Sequence, residues 1–359
     1  MSIKPGQVAA ALDAGFLNLI LFPTEQCNFR CTYCYEDFNI GRMKPTVVES
    51  VKALLTRRAS SLETLHISWF GGEPLLAKPV VYDISTHAQM LAGQMSLSYM
   101  ADMTTNGYLL DRSTAERLVG LGVTSYQISL DGPEKVHDRT RIKANGAGSF
   151  SQIWNNLIAL RDSDLTFAIK LRIHFSPDTV LVLDPLIDDL NREFAHDFRF
   201  SVYFKSIERL GGPNDSATRL FSEELLDEAK RYLDGKLNDK SQISSLTADD
   251  EPYICYAAKP NSLAIRANGD VVKCTVALYD ERNRVGKLKS DGTLSIDQVK
   301  VRGWLRGFRD LDERELACPY SAMNDEVKGR RDREEEFGFE APSTSDTVLL
   351  TLGPTRRKS

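Results

Sequence analysis

Three of the six cysteines in this 359-residue chain, Cys27, Cys31 and Cys34, crowd into the stretch TEQCNFRCTYCYED. Thiolates are soft donors suited to zinc or to iron–sulfur clusters. Structural zinc sites take four closed ligands, and ferredoxin-type runs carry four cysteines. Here there are three, and no histidine stands beside them in sequence, the five being His66, His87, His137, His174 and His196. Three thiolates on a four-iron cubane leave one iron free, and an open iron can bind a chelating small molecule. A structural metal site remains the alternative at this point. Tyr33, between the second and third cysteines, is an aromatic that could lie along a nucleobase.

The elements around this loop explain how it could be held. Apolar, β-rich runs at Leu17 to Pro23, Thr64 to Phe70, Ser96 to Met103, Thr124 to Leu130, Thr166 to Phe175 and Phe198 to Phe204 predict six strands. Helical patterns alternate with them at Pro45 to Ala59, Pro79 to Leu91, Ser113 to Leu121, Ser149 to Arg161 and Leu181 to Phe194. Such alternation argues for a parallel sheet with right-handed crossovers and helices on its outer face. Six units are too few for a closed eight-stranded barrel, so the expectation is a partial barrel or an open doubly wound sheet. In both, ligands belong at the carboxyl ends of the strands. Each unusual loop follows one of these strands: the cysteine loop, then FGGEPLL, TTNGYLL and SLDGP. Gly, Asn, Asp and Pro are ordinary turn residues one loop at a time; placed after four consecutive strands they converge on one rim.

Composition removes other classes. With 42% hydrophobic and 26% charged residues the chain can bury a sizeable core and is long enough for two domains. A net charge of −5 gives no polyanion-binding footprint, so nucleic acid is not expected as a partner. No apolar run reaches eighteen residues, and the start MSIKPGQVAAALDAG lacks a secretion-signal pattern. The expectation is a cytoplasmic protein with no membrane partner, where clustered cysteines are metal ligands or catalysts rather than disulfides.

From Asn18 to Cys318 the chain resembles the radical S-adenosylmethionine (radical SAM) enzymes, specifically the subgroup with a C-terminal SPASM or twitch extension. CNFRCTYCYE is similar to the cluster loop and WFGGEPLL to the Gly-Gly-Glu motif; TTNGYLL matches the next strand end, while SLDGPEKVHDRTR with GSFSQIWNNLIAL resembles peptide-modifying members. The implied fold is α/β, a partial (β/α)6 TIM-type barrel with a small SPASM/twitch-like α+β iron–sulfur domain. The resemblance implies that Cys27, Cys31 and Cys34 hold a 4Fe-4S cluster whose fourth iron is chelated by the methionine group of S-adenosylmethionine. Gly71 and Gly72 would admit the backbone close to the cofactor's ammonium, and Glu73 would accept a hydrogen bond from it. Asn106, Ser129 and Asp131 would meet ribose hydroxyls or the methionine moiety, and Arg172 or Arg141 would neutralise its carboxylate.

Cys255, Cys274 and Cys318 lie far downstream. The stretch LAIRANGDVVKCTVALY predicts a hairpin turning at Asn268 and Gly269, and its Gly-x4-Cys spacing resembles a SPASM/twitch element. The resemblance therefore implies one auxiliary iron–sulfur cluster on these three cysteines. Buried small hydrophobes are the alternative. A full SPASM domain carries seven cysteines, so a second auxiliary cluster is not expected. Thr275 stands where sulfatase-maturating relatives carry an acidic base, which counts against formylglycine formation.

The expected organisation is a barrel over 1–215, a linker helix (Ser222 to Leu237) and loop over 216–250, an auxiliary cluster domain over 251–325, and a charged, mobile tail over 326–359 in which TVLLTL could add an edge strand. The chain starts close to the first strand, leaving no room for an N-terminal leader-binding domain; a separate leader-binding protein would then serve. The expected function is hydrogen abstraction from a ribosomally made precursor peptide, giving a crosslink (cyclophane or thioether), an epimerisation or an oxidation. An external one-electron donor of flavodoxin or ferredoxin type would feed the cluster. Radical chemistry on a small metabolite and a non-catalytic iron–sulfur or zinc protein are the competing readings.

Overall fold

A computed structural model describes residues 3–238 and 253–323. Its frame is one ten-stranded sheet. Six strands run β1 (Phe16–Leu21), β2 (Thr64–Trp69), β3 (Ser98–Thr105), β4 (Val123–Leu130), β5 (Ala168–Phe175) and β6 (Phe200–Ser206), each parallel to the next. These are the six strands expected from the sequence, shifted by no more than two residues at either end. Helices α1 (Pro5–Leu12), α2 (Pro45–Ala59), α3 (Lys78–Met95), α4 (Arg112–Gly120), α5 (Glu134–Thr140), α6 (Phe150–Arg161), α7 (Asp184–Phe194) and α8 (Glu223–Asp234) are interspersed. Pro45, with its fixed φ, opens α2, and Arg57 and Arg58 in its last turn meet the negative end of the helix dipole. Asp111 caps α4 by accepting from the Thr114 amide, and Ser222 caps α8 through the Leu225 amide.

The strands alternate by face. On β5, Ile169, Leu171 and Ile173 are buried among the helices' apolar stripes, while Lys170, Arg172 and His174 point to the opposite face. That opposite face is polar, with His66, Ser68, Asp102, Thr104, Gln127, Ser129 and Lys205 upon it. Among α1 to α8, two were not expected from the pattern, α1 and α5; the seven residues of α5 directly follow SLDGP and are too few for a periodic signal to emerge.

The sheet continues past β1. Strand β7 (Ser262–Ile265) pairs with β1 in parallel, and β8 (Asp270–Val272), β9 (Arg284–Leu288) and β10 (Leu294–Ile296) follow as an antiparallel meander. The expected hairpin at Asn268 and Gly269 is present, with Gly269 at φ +84° as the turn requires. Its attachment to β1 is legible only in three dimensions. The helix expected over Ser222 to Leu237 is α8; the remainder of that linker from residue 239, and the charged tail with TVLLTL, lie outside the described residues.

Candidate active site

At the carboxyl end of the parallel strands lies a cavity of about 440 Å³ lined by all three N-terminal cysteines. Gly71, Gly72, Thr105, Asn106, Ser129, Arg141, Arg172 and His174 line it too, with Thr275 and Val276 closing one side from the C-terminal unit. The glycine loop is held close to the cysteine loop. A Cβ on Gly71 would stand 2.3 Å from the Thr24 carbonyl oxygen, and one on Gly72 would stand 2.5 Å from that of Gln26. Neither position tolerates a side chain, because the obstructing atoms are backbone.

Glu73 does a different job from the one expected. It is fully buried, does not line the cavity, and accepts from the Leu75 amide at 3.0 Å, the Thr105 hydroxyl at 2.8 Å and the Asn106 amide at 2.7 Å. Its carboxylate thus pins the glycine loop to the end of β3 rather than meeting a ligand ammonium. Asp131 is also behind the wall. It accepts from Tyr33 Oη at 2.9 Å and Thr140 Oγ1 at 2.7 Å, and stands 3.1 Å from His174 Nδ1. Burial works to raise its pKa, but the His174 hydrogen bond and the Arg141 charge prevail and hold it well below the usual carboxylate range. Tyr33 is fixed by its hydroxyl, which Arg141 Nη1 reaches at 2.7 Å and which lies 3.0 Å from His174 Nδ1, leaving its ring as a wall of the cavity.

The groups left facing the cavity suit an anionic or zwitterionic guest. Arg172 donates to Ser129 Oγ at 3.1 Å, and the buried Nε of Arg141 has no hydrogen-bond partner. Asn106 donates from Nδ2 to Asn28 Oδ1 at 2.8 Å and uses its Oδ1 to accept from the Tyr108 amide. Burial, and next the Arg172 charge, push His174 down to about 4, so its ring is neutral at pH 7.

The thiols themselves ask for positive charge. Burial, followed by Glu73 and the other two cysteines, pushes Cys27 up to about 12; burial raises Cys34 to about 11 and Cys31 also upward, the latter opposed by Arg141. Metal ions invert this balance, since a coordinating thiol is deprotonated outright. The Phe29 amide, 3.4 Å from Cys27 Sγ, already points at the sulfur. Among the described residues no three His, Cys, Asp or Glu side chains close on a single ion. One zinc would draw its thiolates to within about 4 Å of each other, given a metal–sulfur length near 2.3 Å. Three thiols lining one cavity are a soft donor set of the kind that iron–sulfur clusters take.

The second trio is assembled from three places. Cys255 precedes a short 3₁₀ turn, Cys274 follows β8, and Cys318 ends the helix Glu313–Ala317. Burial, then the charges of Cys274 and Cys318, raise Cys255 to about 11, so the three are neighbours electrostatically. The amides of Val276 and Ser321 lie 3.4 Å from the sulfurs of Cys274 and Cys318, repeating the arrangement at Cys27. Sequence reasoning missed Glu36 and His174. Glu36 follows Cys34 by two positions and lines the cavity, where burial and then Glu25 push its carboxyl up to about 8. His174 could have been found from the alternation on β5, two residues beyond Arg172.

The chain is similar to several known proteins. Residues 21–180 match the family described as the Radical SAM superfamily. A cysteine-type anaerobic sulfatase-maturating enzyme of Clostridium novyi (strain NT) is 24% identical over 299 residues, 74% of this chain and 75% of that one. A GTP 3',8-cyclase of Klebsiella pneumoniae (strain 342) is 31% identical over 171 residues, 44% of this chain and 50% of its own length. The structure of native anSMEcpe with bound AdoMet and Cp18Cys peptide superposes with TM-score 0.56 at 18% identity, covering 80% of each chain, a likeness of fold.

Proposed function

We propose, for a chain that carries a radical SAM domain and is a radical SAM enzyme, that its substrate is a peptide and that Cys27, Cys31 and Cys34 hold the 4Fe-4S cluster of that family. The observation that carries the reading is the joint lining of one cavity by these thiols, Gly71, Gly72, Asn106, Ser129, Arg141 and Arg172. The bound cluster and S-adenosylmethionine supply a 5'-deoxyadenosyl radical that abstracts hydrogen. The chain's residues bind, orient and shield. Arg172 and the free Nε of Arg141 offer charge to the cofactor carboxylate. Gly71 and Gly72 bring backbone within reach of its ammonium, held there by Glu73. Tyr33, fixed at its hydroxyl by Arg141, presents a ring face to the adenosyl group. Phe29, Phe38 and Phe70 exclude water from the same space. Glu36, with its raised pKa, can hold or release a proton at the cavity wall near neutral pH.

A peptide substrate is supported by the motif wording after β4 and by a neighbouring fold whose structure holds a peptide. Thr275 enters the cavity with its hydroxyl 2.9 Å from Tyr256 Oη, and no carboxylate replaces it at that position, which argues for a reaction other than formylglycine formation. The GTP 3',8-cyclase matches favour a second reading, a small-molecule substrate. The test is anaerobic reconstitution with iron and sulfide, reduction by dithionite, and mass spectrometry with S-adenosylmethionine and a short peptide encoded beside the gene. Formation of 5'-deoxyadenosine with a mass change in the peptide supports the proposal. Cofactor cleavage with no peptide change would move the assignment to a small molecule, and zinc without cleavage would end it.

A further inference from the structure

The N-terminal cysteine loop is not held by the barrel alone. Three separate contacts tie residues 25–37 to residues 266–279. At the first end, Glu25 is 2% exposed and accepts from Arg266 Nη2 at 2.5 Å, from Arg266 Nε at 3.2 Å to each oxygen, and from the Ala267 amide at 3.2 Å. Near the middle, Tyr35 Oη donates to the Thr275 carbonyl at 3.1 Å. At the far end, the Asp37 amide donates to Tyr279 Oη at 2.7 Å. Arg266 links these ties, since it also donates to the Leu278 carbonyl at 3.0 Å and its guanidinium lies 5.8 Å from the Tyr279 ring centre.

The spacing of these ties matters. Cys27 follows Glu25 by two residues, Cys34 immediately precedes Tyr35, and Cys274 immediately precedes Thr275. A clamp at Glu25, Tyr35 and Asp37 therefore brackets all three N-terminal cysteines. Its other jaw is the segment that carries Cys274. Nothing in the barrel strands needs such ties, because β1 is already paired on both sides.

We infer that residues 266–279 set the conformation of the cysteine loop, which makes Arg266, Tyr35 and Tyr279 positioning residues for the cluster and cofactor site. The inference rests on the assignment of a cluster to Cys27, Cys31 and Cys34. Because Cys274 belongs to the same jaw, the two cysteine sites are coupled: a change at one alters affinity at the other, and by linkage the reverse holds by the same factor.

The test uses the full chain, reconstituted anaerobically, in four variants that cut the clamp, Arg266→Met, the double variant Glu25→Gln with Arg266→Met, Tyr35→Phe and Tyr279→Phe, and in two further ones, Arg266→Lys and Cys274→Ala. The double variant leaves no uncompensated buried charge, so it guards against simple loss of folding. The electron paramagnetic resonance signal of the reduced protein, titrated with S-adenosylmethionine, gives the Kd of the cofactor. Arg266→Met and the double variant are expected to raise that Kd by about tenfold, in the range of lost supporting contacts around a metal ligand. Tyr35→Phe and Tyr279→Phe, each losing one hydrogen bond, are expected to raise it by about threefold. Arg266→Lys should recover part of the loss, and Cys274→Ala should raise Kd although it touches no cofactor. Hydrogen–deuterium exchange of residues 25–37 reads the clamp without any metal: exchange there should quicken in all four variants while β2 to β5 stay protected. Unchanged Kd and unchanged exchange in the double variant would overturn the inference. A wild-type protein that holds no cluster would refute the functional assignment instead, leaving the exchange result to decide the clamp by itself.

Discussion

The two cysteine trios use the same donor atoms and opposite construction. The N-terminal trio is local: one loop between β1 and α2 brings three thiols to a cavity wall beside Arg141 and Arg172. The C-terminal trio is topological, gathered from Cys255, Cys274 and Cys318 on three separate segments, with Cys318 exposed at the surface. A loop that supplies all its ligands can leave one side open to a guest. A site whose ligands come from distant segments fastens those segments to each other, as closing long loops restrains the unfolded chain. On the proposed assignment the first trio serves the chemistry and the second holds the wall through which Thr275 and Val276 enter the cavity.

Removing ligands separates the two roles most strongly. Cys27→Ala, Cys31→Ala or Cys34→Ala is expected to abolish 5'-deoxyadenosine formation and to lower bound iron from about eight to about four per chain, measured by colorimetric iron assay and chromatography. Replacing Cys255, Cys274 and Cys318 together should remove a similar amount of iron yet leave measurable cofactor cleavage, slowed by about 10- to 100-fold. If both replacements abolish cleavage equally, the contrast between the trios is wrong.

Glu73 probes the scaffold below the first trio. Glu73→Ala leaves two buried amides and a buried hydroxyl without their acceptor and is expected to destabilise the metal-free protein by about 3 kcal/mol or more, at about 1–3 kcal/mol per orphaned group, read by urea unfolding.

The buried histidines give the barrel side a pH signature in the acid range. Burial holds both His137 and His174 down to about 4 in the folded protein, against about 6.5 when unfolded. Between those values the unfolded chain binds the extra protons, so the histidines' contribution to stability falls as pH drops from about 6.5 toward 4 and is level above about 7, whereas Glu36, raised to about 8, contributes stability that is lost as pH rises through about 8. Asp131, held low, stabilises above the ordinary carboxylate range and gives up that contribution only as pH falls further. The difference in urea midpoint between the metal-free wild type and His137→Gln should carry His137's share of this slope, shrinking as pH falls from about 6.5 toward 4. The smallest effect is expected at Ser129→Ala, which removes one hydrogen bond to Arg172 and should weaken cofactor binding by about two- to tenfold.

Much of this was legible in the sequence for identifiable reasons. The six strands carry strong β patterns bounded by turn residues, and their order alone places the cysteine, Gly-Gly-Glu and Asn-Gly loops on one rim. What escaped depended on side-chain direction and on long-range pairing. Glu73 and Asp131 look like ligand groups in one dimension, and only the surrounding amides and hydroxyls reveal that they are spent on the protein itself. The Glu25–Arg266 tie spans most of the chain, and no local periodicity announces it. The junction of β7 with β1 is invisible for the same reason, since parallel pairing leaves no turn between the partners.

That junction also orders events during synthesis. Strand β1 is the first to leave the ribosome, yet its second neighbour is made more than two hundred residues later. Until Ser262–Ile265 emerges, one edge of β1 stays unpaired and the loop after it lacks the jaw at Arg266. The oldest part of the nascent polypeptide is therefore among the last to reach its final contacts, because its loop is clamped only once residues 262–279 have been made.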